Sequence, residues 1–421
     1  MPHTDAHAHA ADLADFVTAS PSSFHAAHEV ARRAIAAGFT ALDESAEWPT
    51  GPGRHVVVRD GAVIAWVVPS TAGATTPVTV LGTHTDSPGF KLKPTPDASR
   101  AGWRQASVEV YGGPLLNSWL DRELAVAGRI ATRSGEHLVR TGPLLRIPQL
   151  AIHLDRQVND GLTLDKQRHT QPVWGLGDTP GLLAAVVGDV CDPADVLGWD
   201  LTLVDTQAPR TFGADDELFA SARLDNLLST HAALTALLVA GETDTITVLA
   251  AFDHEEVGSE TRSGAAGPFL SDVLARIRSG LGADAEQAHR ALASSVCVSS
   301  DVGHSVHPNY SERHDPTTVP VAGGGPILKI NANQRYATDA VGIALWTEAC
   351  ERAGVPSQSF VSNNAVPCGS TIGPITATRL GLRTVDVGVP ILSMHSAREL
   401  TAVVDPWYLT RAMFAVLSPG R

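Results

Sequence analysis

The chain has 421 residues, more than one hydrophobic core usually organises, so two domains or one domain with a large insertion are expected. It is 43% hydrophobic and 18% charged, which suits a soluble globular protein with a sizeable core. A net charge of −14, with no basic run of note, argues against nucleic acid or an anionic membrane as partner.

Residues 10 to 38 read as helices, with Leu13, Phe16 and Val17 at helical spacing, a break at Ser20-Pro21-Ser22-Ser23 and Gly38 as a stop. His3, His7 and His9 read as a mobile, solvated tail without function. The segment 55 to 69 forms a hairpin around Asp60-Gly61. Residues 77 to 82 are a strand, and His84 and Asp86 follow it two apart, placed to converge on one point. A short His-x-Asp is also ordinary turn chemistry.

From about 96 to 207 the character changes to short alternating segments with hairpin turns such as Ser134-Gly135, and no long amphipathic helix is evident. This reads as a mostly β insertion. It also carries the polar loop 155 to 172 and the run Ala151-Ile152-His153-Leu154-Asp155.

The α/β pattern then returns. Asp215 to Ala220 is expected to begin a helical stretch, and Asp225 to precede a helix reaching Ala240. Strands are expected at 244 to 252, 296 to 300, 327 to 330, 358 to 361 and 383 to 387. Helices are expected over much of 268 to 294 and at 339 to 353, 371 to 380 and about 406 to 417. Alternating strands and helices on both sides of the insertion imply a doubly wound, mainly parallel α/β domain interrupted by a β-rich one. The expected boundaries are 1–95 and 208–421 for the α/β domain and 96–207 for the insertion.

Cys191, Cys297, Cys350 and Cys368 have no CxxC spacing, so neither a disulfide framework nor a thiolate zinc site is indicated. The N-terminus lacks a basic and then apolar leader, and no stretch reaches 18 uninterrupted apolar residues. A cytoplasmic protein without membrane contact is expected.

The chemistry concentrates at Phe-Asp-His-Glu-Glu-Val-Gly-Ser-Glu, residues 252 to 260. Glu255 and Glu256 follow a continuous apolar, β-branched run, at the carboxyl end of a parallel strand where open α/β sheets bind ligands. Alone, such a pair reads equally as a solvated acidic turn. His84, Asp225, Glu256, Asp301 and His395 change that reading, because all but Asp225 fall just after an expected strand. Singly, Asp225 also fits a helix N-cap, Asp301 a turn residue and His395 a partly buried histidine. Two histidines and three carboxylates together fit a two-zinc site: one His and one terminal carboxylate per ion, with an Asp bridging. Glu255 would be the general base on a shared water, and Asp86 would orient the His84 imidazole.

The strings SPSSFH, HTDSPG, AIHLDR, SARLDNL, DHEEVGSE, SSDVGHSVHPNY, KINANQRYATD, CGSTIGP and SMHSARE, in order over nearly the whole chain, resemble the aspartyl aminopeptidase family, the M18 metallopeptidases. The resemblance implies metal ligands at His84, Asp225 (bridging), Glu256, Asp301 and His395, and Glu255 as base. It also implies that the insertion is a dimerisation domain and that twelve subunits assemble. His153 would reach a neighbouring subunit's active site and hold substrate or intermediate, with direct metal ligation as the alternative. The expected cofactors are two Zn2+ per subunit, with Mn2+ or Co2+ as alternatives. The expected activity is removal of N-terminal residues from peptides. A preference for acidic residues would need a buried cation, for which Lys329 and Arg335 are the candidates. His304 and His307 are candidate pocket walls. The alternatives are a neutral-residue preference, a carboxypeptidase or deacylase using the same metals, and a catalytically silent assembly or cargo protein.

Overall fold

The computed structural model describes residues 5–418, so His3 lies outside the described residues. A nine-stranded sheet forms the centre of the fold. In spatial order its strands are Thr40–Ala41, Gly53–Arg59, Ala62–Val68, Ile246–Phe252, Val78–His84, Val296–Ser300, Arg383–Gly388, Ile327–Ile330 and Gln358–Val361. The four strands from Ile246–Phe252 to Arg383–Gly388 run parallel to one another, with antiparallel neighbours on both sides.

Helices cover both faces. Leu81, Leu249 and Ala251 pack with helices Ala6–Ala19, Ser23–Ala36, Leu224–Ala240, Ala340–Ala353 and Val404–Leu417. Val78, Val80, Val248 and Phe252 pack on the other face with Phe269–Gly280 and Ile372–Leu380. Burial on both sides is why these strands read as unbroken apolar runs rather than as alternating ones.

The second sheet is antiparallel throughout, in the order Gly135–Arg140, Leu124–Thr132, Val196–Asp205, Gly89–Arg100, Trp103–Tyr111, Val173–Leu176. Phe90, Trp119, Leu124, Ile130 and Leu203 build its separate core with the short helix Leu182–Val187. The fold is therefore α/β with an additional mostly β unit.

Two expectations are corrected. Residues 218–221 form a strand, not the start of a helix. Leu218–Ser221 pairs antiparallel with Arg210–Phe212 and with Glu399–Ala402, burying Phe219, so distant pairing overrides local helix propensity. His9 is not on a solvated tail. Asp5 caps a helix that already starts at Ala6, and His9 is buried against Thr410 and the His231 ring. That first helix is tied down by charge: Asp12 accepts from Arg33 at 2.9 Å and lies 2.6 Å from His231 Nε2, while Arg33 also reaches Glu29.

Candidate metal centre

Strand register sets the site. Phe252 pairs with His84 and Ser299 with Gly82, so the carboxyl ends of three adjacent strands open side by side. His84 is the last residue of its strand. Glu255 and Glu256 sit in the tight turn Glu255–Val257 just past Phe252, and Asp301 directly follows Ser300. Asp225 enters from the first turn of Leu224–Ala240, where its backbone is not helical and the Asp225–Asn226 peptide is cis. His395 comes from the loop after Pro390–Ile391. His254 and His395 both have left-handed backbone, with φ of 62° and 65°. Strained conformations of this kind in non-glycine residues cluster at functional sites.

The five residues singled out as ligands converge. Asp225 Oδ1 lies 3.2 Å from His84 Nε2, and Asp301 Oδ1 lies 3.5 Å from the same nitrogen. Asp225 Oδ2 lies 3.3 Å from His395 Nε2, which is also 3.4 Å from Glu256 Oε2. Glu255 Oε2 stands 4.0 Å from His84 Nε2. His84–Asp225–Asp301 and Asp225–Glu256–His395 each gather ligand atoms within 4.8 Å, a spacing suited to a shared ion. Asp225 Oδ1 is buried and makes no well-aligned hydrogen bond, with only the His84 Nε2 nitrogen beside it at 3.2 Å. Buried carboxylate oxygens are rarely left so, and a cation is the partner this donor set suits.

The protonation pattern agrees. Burial raises the Glu255 carboxyl to about 7, with Asp301 and Asp225 adding to the effect. Burial and then Asp225 raise Glu256 well above the usual range. Burial pulls His395 down, but its contact with Asp225 outweighs that and lifts it to about 9. His84 is likewise lifted by Asp225 and Asp301 against burial. Without an ion, protons occupy the places where cations would offset the carboxylates.

Around the ligands lies a layer of buttresses. His84 Nδ1 is 3.1 Å from the Asp86 carbonyl and 3.4 Å from Asp86 Oδ1. Asp86 also accepts the backbone N–H groups of Glu255 and Glu256 at 3.0 and 3.1 Å, so it anchors the acidic turn as well as the imidazole. Glu399 accepts from the N–H of Asp225 at 2.9 Å and of His395 at 2.8 Å. Sequence reasoning gave Glu399 no role. The signal available was a Glu inside the buried strand Glu399–Ala402.

The other expected site residues belong to none of these ligand groups. Lys329 is 2% exposed, donates to the Val302 carbonyl at 2.8 Å and lies 3.6 Å from Asp301 Oδ2. Arg335 is exposed on the loop after Ile327–Ile330. His304 lines a cavity of about 230 Å³ with Tyr336 and Phe360. The N–H of His307 is bound by His314 Nε2. His153 is exposed on the loop that follows residue 148 and joins none of the ligand groups of its own chain.

The family model for Aminopeptidase I zinc metalloprotease (M18) matches residues 16–415. The chain belongs to the M18 aminopeptidase family. It is 54% identical to the "Probable M18 family aminopeptidase 2" of Streptomyces avermitilis, over 97% of each chain. Among solved structures, it matches a chain of the Ape4 and Nbr1 complex with a TM-score of 0.93 and 35% identity, covering 97% of this chain and 85% of that one. It matches the S. cerevisiae mApe1 dodecamer with a TM-score of 0.84 and 28% identity, covering 96% and 95%. As an M18 enzyme the chain is a zinc metallo-aminopeptidase, a hydrolase of peptide bonds. No helix among the described residues is long and apolar enough to cross a membrane.

Proposed function

We propose that the centre holds two zinc ions and removes N-terminal residues, preferentially Asp and Glu, from peptides. His84 and Asp301 would hold one ion, His395 and Glu256 the other, and Asp225 both. The observation that carries this reading is the placement of the two Asp225 oxygens at 3.2 and 3.3 Å from opposite histidines. Bound zinc would supply Lewis acidity to the scissile carbonyl and to the attacking water. Glu255, beside that centre, takes the proton from the water and returns it to the leaving amine. Asp86 holds the Glu255 N–H and the His84 imidazole in register. Mn2+ or Co2+ would suit the same nitrogen and oxygen donors.

For acidic side chains we assign Lys329 as the first receiving cation and Arg335 as the second. Lys329 is favoured by its burial on a strand beside Asp301. The β-rich unit, expected at 96–207 and with its first strand beginning at Gly89, serves as dimerisation domain between the two catalytic segments, and His153 acts on the site of a neighbouring subunit. The exposure of His153 on a loop with the exposed apolar residues Leu150, Ile152 and Leu154 supports this. The dodecameric relative supports assembly into twelve subunits. Four free cysteines suit a reducing, cytoplasmic setting.

The test is a panel of aminoacyl chromogenic substrates and N-acyl amino acids, assayed with and without chelator, alongside metal analysis. Two zinc ions per chain, chelator-sensitive release and fastest turnover of Asp and Glu derivatives are expected. Cleavage of N-acyl substrates alone, or full activity after metal removal, would overturn the reading.

A further inference from the structure

The segment that leaves the second sheet after Trp103–Tyr111 lies directly on the metal centre of its own chain. The Tyr111 hydroxyl donates to Asp86 Oδ2 at 2.8 Å. The Gly113 carbonyl lies 3.0 Å from His395 Nδ1. A carbonyl only accepts, so Nδ1 carries the proton and Nε2 is left facing Asp225 and Glu256. The Leu115 N–H bonds back to the His395 carbonyl at 2.9 Å, and the Ala397 N–H donates to Ser118 Oγ at 2.8 Å. Between these bonds, Gly112 has a φ of 66°, and a Cβ there would meet Glu256 Cβ at 3.1 Å and the Glu256 carbonyl at 3.3 Å. A side chain here would crowd Glu256 and strain the left-handed backbone, so glycine suits the close approach of the strap.

Asp86 is where this contact matters most. One carboxylate accepts two backbone N–H groups of the acidic turn and faces His84, and the phenol is its remaining side-chain donor apart from that imidazole. Burial and then the nearby carboxylates of Asp86 and Asp253 push the Tyr111 phenol far up, so it stays a donor at any working pH. The ring is held independently, with Lys91 Nζ 5.6 Å from its centroid and the His254 ring 6.4 Å away.

We propose that Tyr111, supplied by the second sheet in cis, is a positioning residue for the metal centre, fixing Asp86 so that His84 and the Glu255–Glu256 turn meet the ions in one geometry. The β-rich unit thus builds the site it borders, apart from any contact between subunits. The proposal rests on the ligand assignment made above.

Its test uses the full-length protein and its Tyr111→Phe variant, which keeps the ring and loses only the donor. Zinc affinity is measured by competition with a chromophoric chelator, and the Co2+-substituted proteins are compared by their visible d–d absorption. Partners of this kind typically contribute tenfold to a hundredfold to metal affinity. Expected are zinc binding weaker by roughly that factor in Tyr111→Phe, shifted Co2+ bands, and a kcat loss at saturating zinc larger than any change in KM. The metal-free melting temperature should stay within a few degrees of the parent. Equal zinc affinity and identical Co2+ spectra in the two proteins overturn the role of Tyr111. Were the parent itself to bind no divalent ion, the ligand assignment would fail instead. If Tyr111→Phe does not fold, Asp86→Asn gives a second reading, because loss of the carboxylate that Tyr111 fixes should weaken zinc binding in the same direction. Unchanged affinity there too overturns the proposal.

Discussion

Lys329 Nζ lies 3.6 Å from Asp301 Oδ2 and donates to the Val302 carbonyl, so its ammonium sits against a carboxylate proposed to hold metal. The chain's net charge of −14 repels acidic peptides at long range, and a preference for them has to come from a desolvated local cation. Lys329→Met should lower kcat/KM for Asp and Glu derivatives at least about tenfold more than for Leu and Ala derivatives, the scale of one buried charge-assisted contact. Matched kinetics on the four derivatives check this. An equal loss on all four would reassign the lysine to holding Asp301.

Glu255 borders the proposed ligands, 4.0 Å from His84 Nε2 and grouped with His84 and Glu256 within 4.8 Å. Glu255→Gln should retain both metals and the fold yet lose at least roughly a hundredfold in turnover, the size of a general-base contribution. The measurement is kcat on metal-replete protein with zinc content determined in parallel. Near-normal turnover would remove Glu255 from the mechanism.

Action of His153 in trans predicts complementation. Mixed oligomers of Glu255→Gln and His153→Ala subunits, each inactive alone, should recover part of the parent activity, because some sites then draw an intact residue from each. Oligomers shown by mass to have exchanged, yet still inactive, would rule out action across subunits.

Asp12 predicts an acid-dependent loss of stability. Burial raises its carboxyl, but His231 and Arg33 outweigh that and hold it below the usual carboxylate range. A depressed carboxyl contributes stability above its unfolded value near 3.8, and the contribution is lost as pH falls toward the folded value. Asp12→Asn should therefore cost about 1.5 to 3 kcal/mol near neutral pH. The gap between variant and parent, measured by denaturant unfolding, should close as the pH is lowered below about 4. A gap that persists unchanged into acid would mean the loss is one of packing.

The strands were legible because burial on both faces leaves an unmistakable record. ILKI at 327–330 and VCVSS at 296–300 are short runs dominated by apolar and β-branched residues, followed directly by Asn331 and Asp301. The placement of His84, Glu256 and Asp301 was legible for the same reason, since a ligand-type residue at a parallel strand end has a known location, whereas Asp225 at a helix start and His395 on a loop carry no such signal. The strand Leu218–Ser221 was not, because four residues carry little pattern and its partner Glu399–Ala402 is far along the chain. Glu399 and Tyr111 escaped because their contribution is a hydrogen bond to one atom, and bond geometry leaves no periodicity in a sequence. His9 was misread because it was assigned to a terminal tail, whereas Asp5 caps a helix that already starts at Ala6.

The order of strands in the large sheet has a consequence for how the protein is made. Val78–His84 is flanked by Ile246–Phe252 on one side and Val296–Ser300 on the other, with no neighbour from its own part of the chain. As the polypeptide leaves the ribosome, the strand that ends in His84 has neither edge covered until Ile246–Phe252 emerges, by which point more than half of the chain has been made. During that wait the antiparallel sheet from Gly89 to Asp205, whose strands pair with one another, has all its partners at hand. The strand ending in His84 therefore emerges with both edges bare, the kind of segment that seeks pairing with other chains, while the strands of the sheet beside it already have one another to pair with. His395 emerges close to the end, so the peptidase centre closes only once translation is nearly finished, and a nascent chain carries no complete centre with which to attack its neighbours.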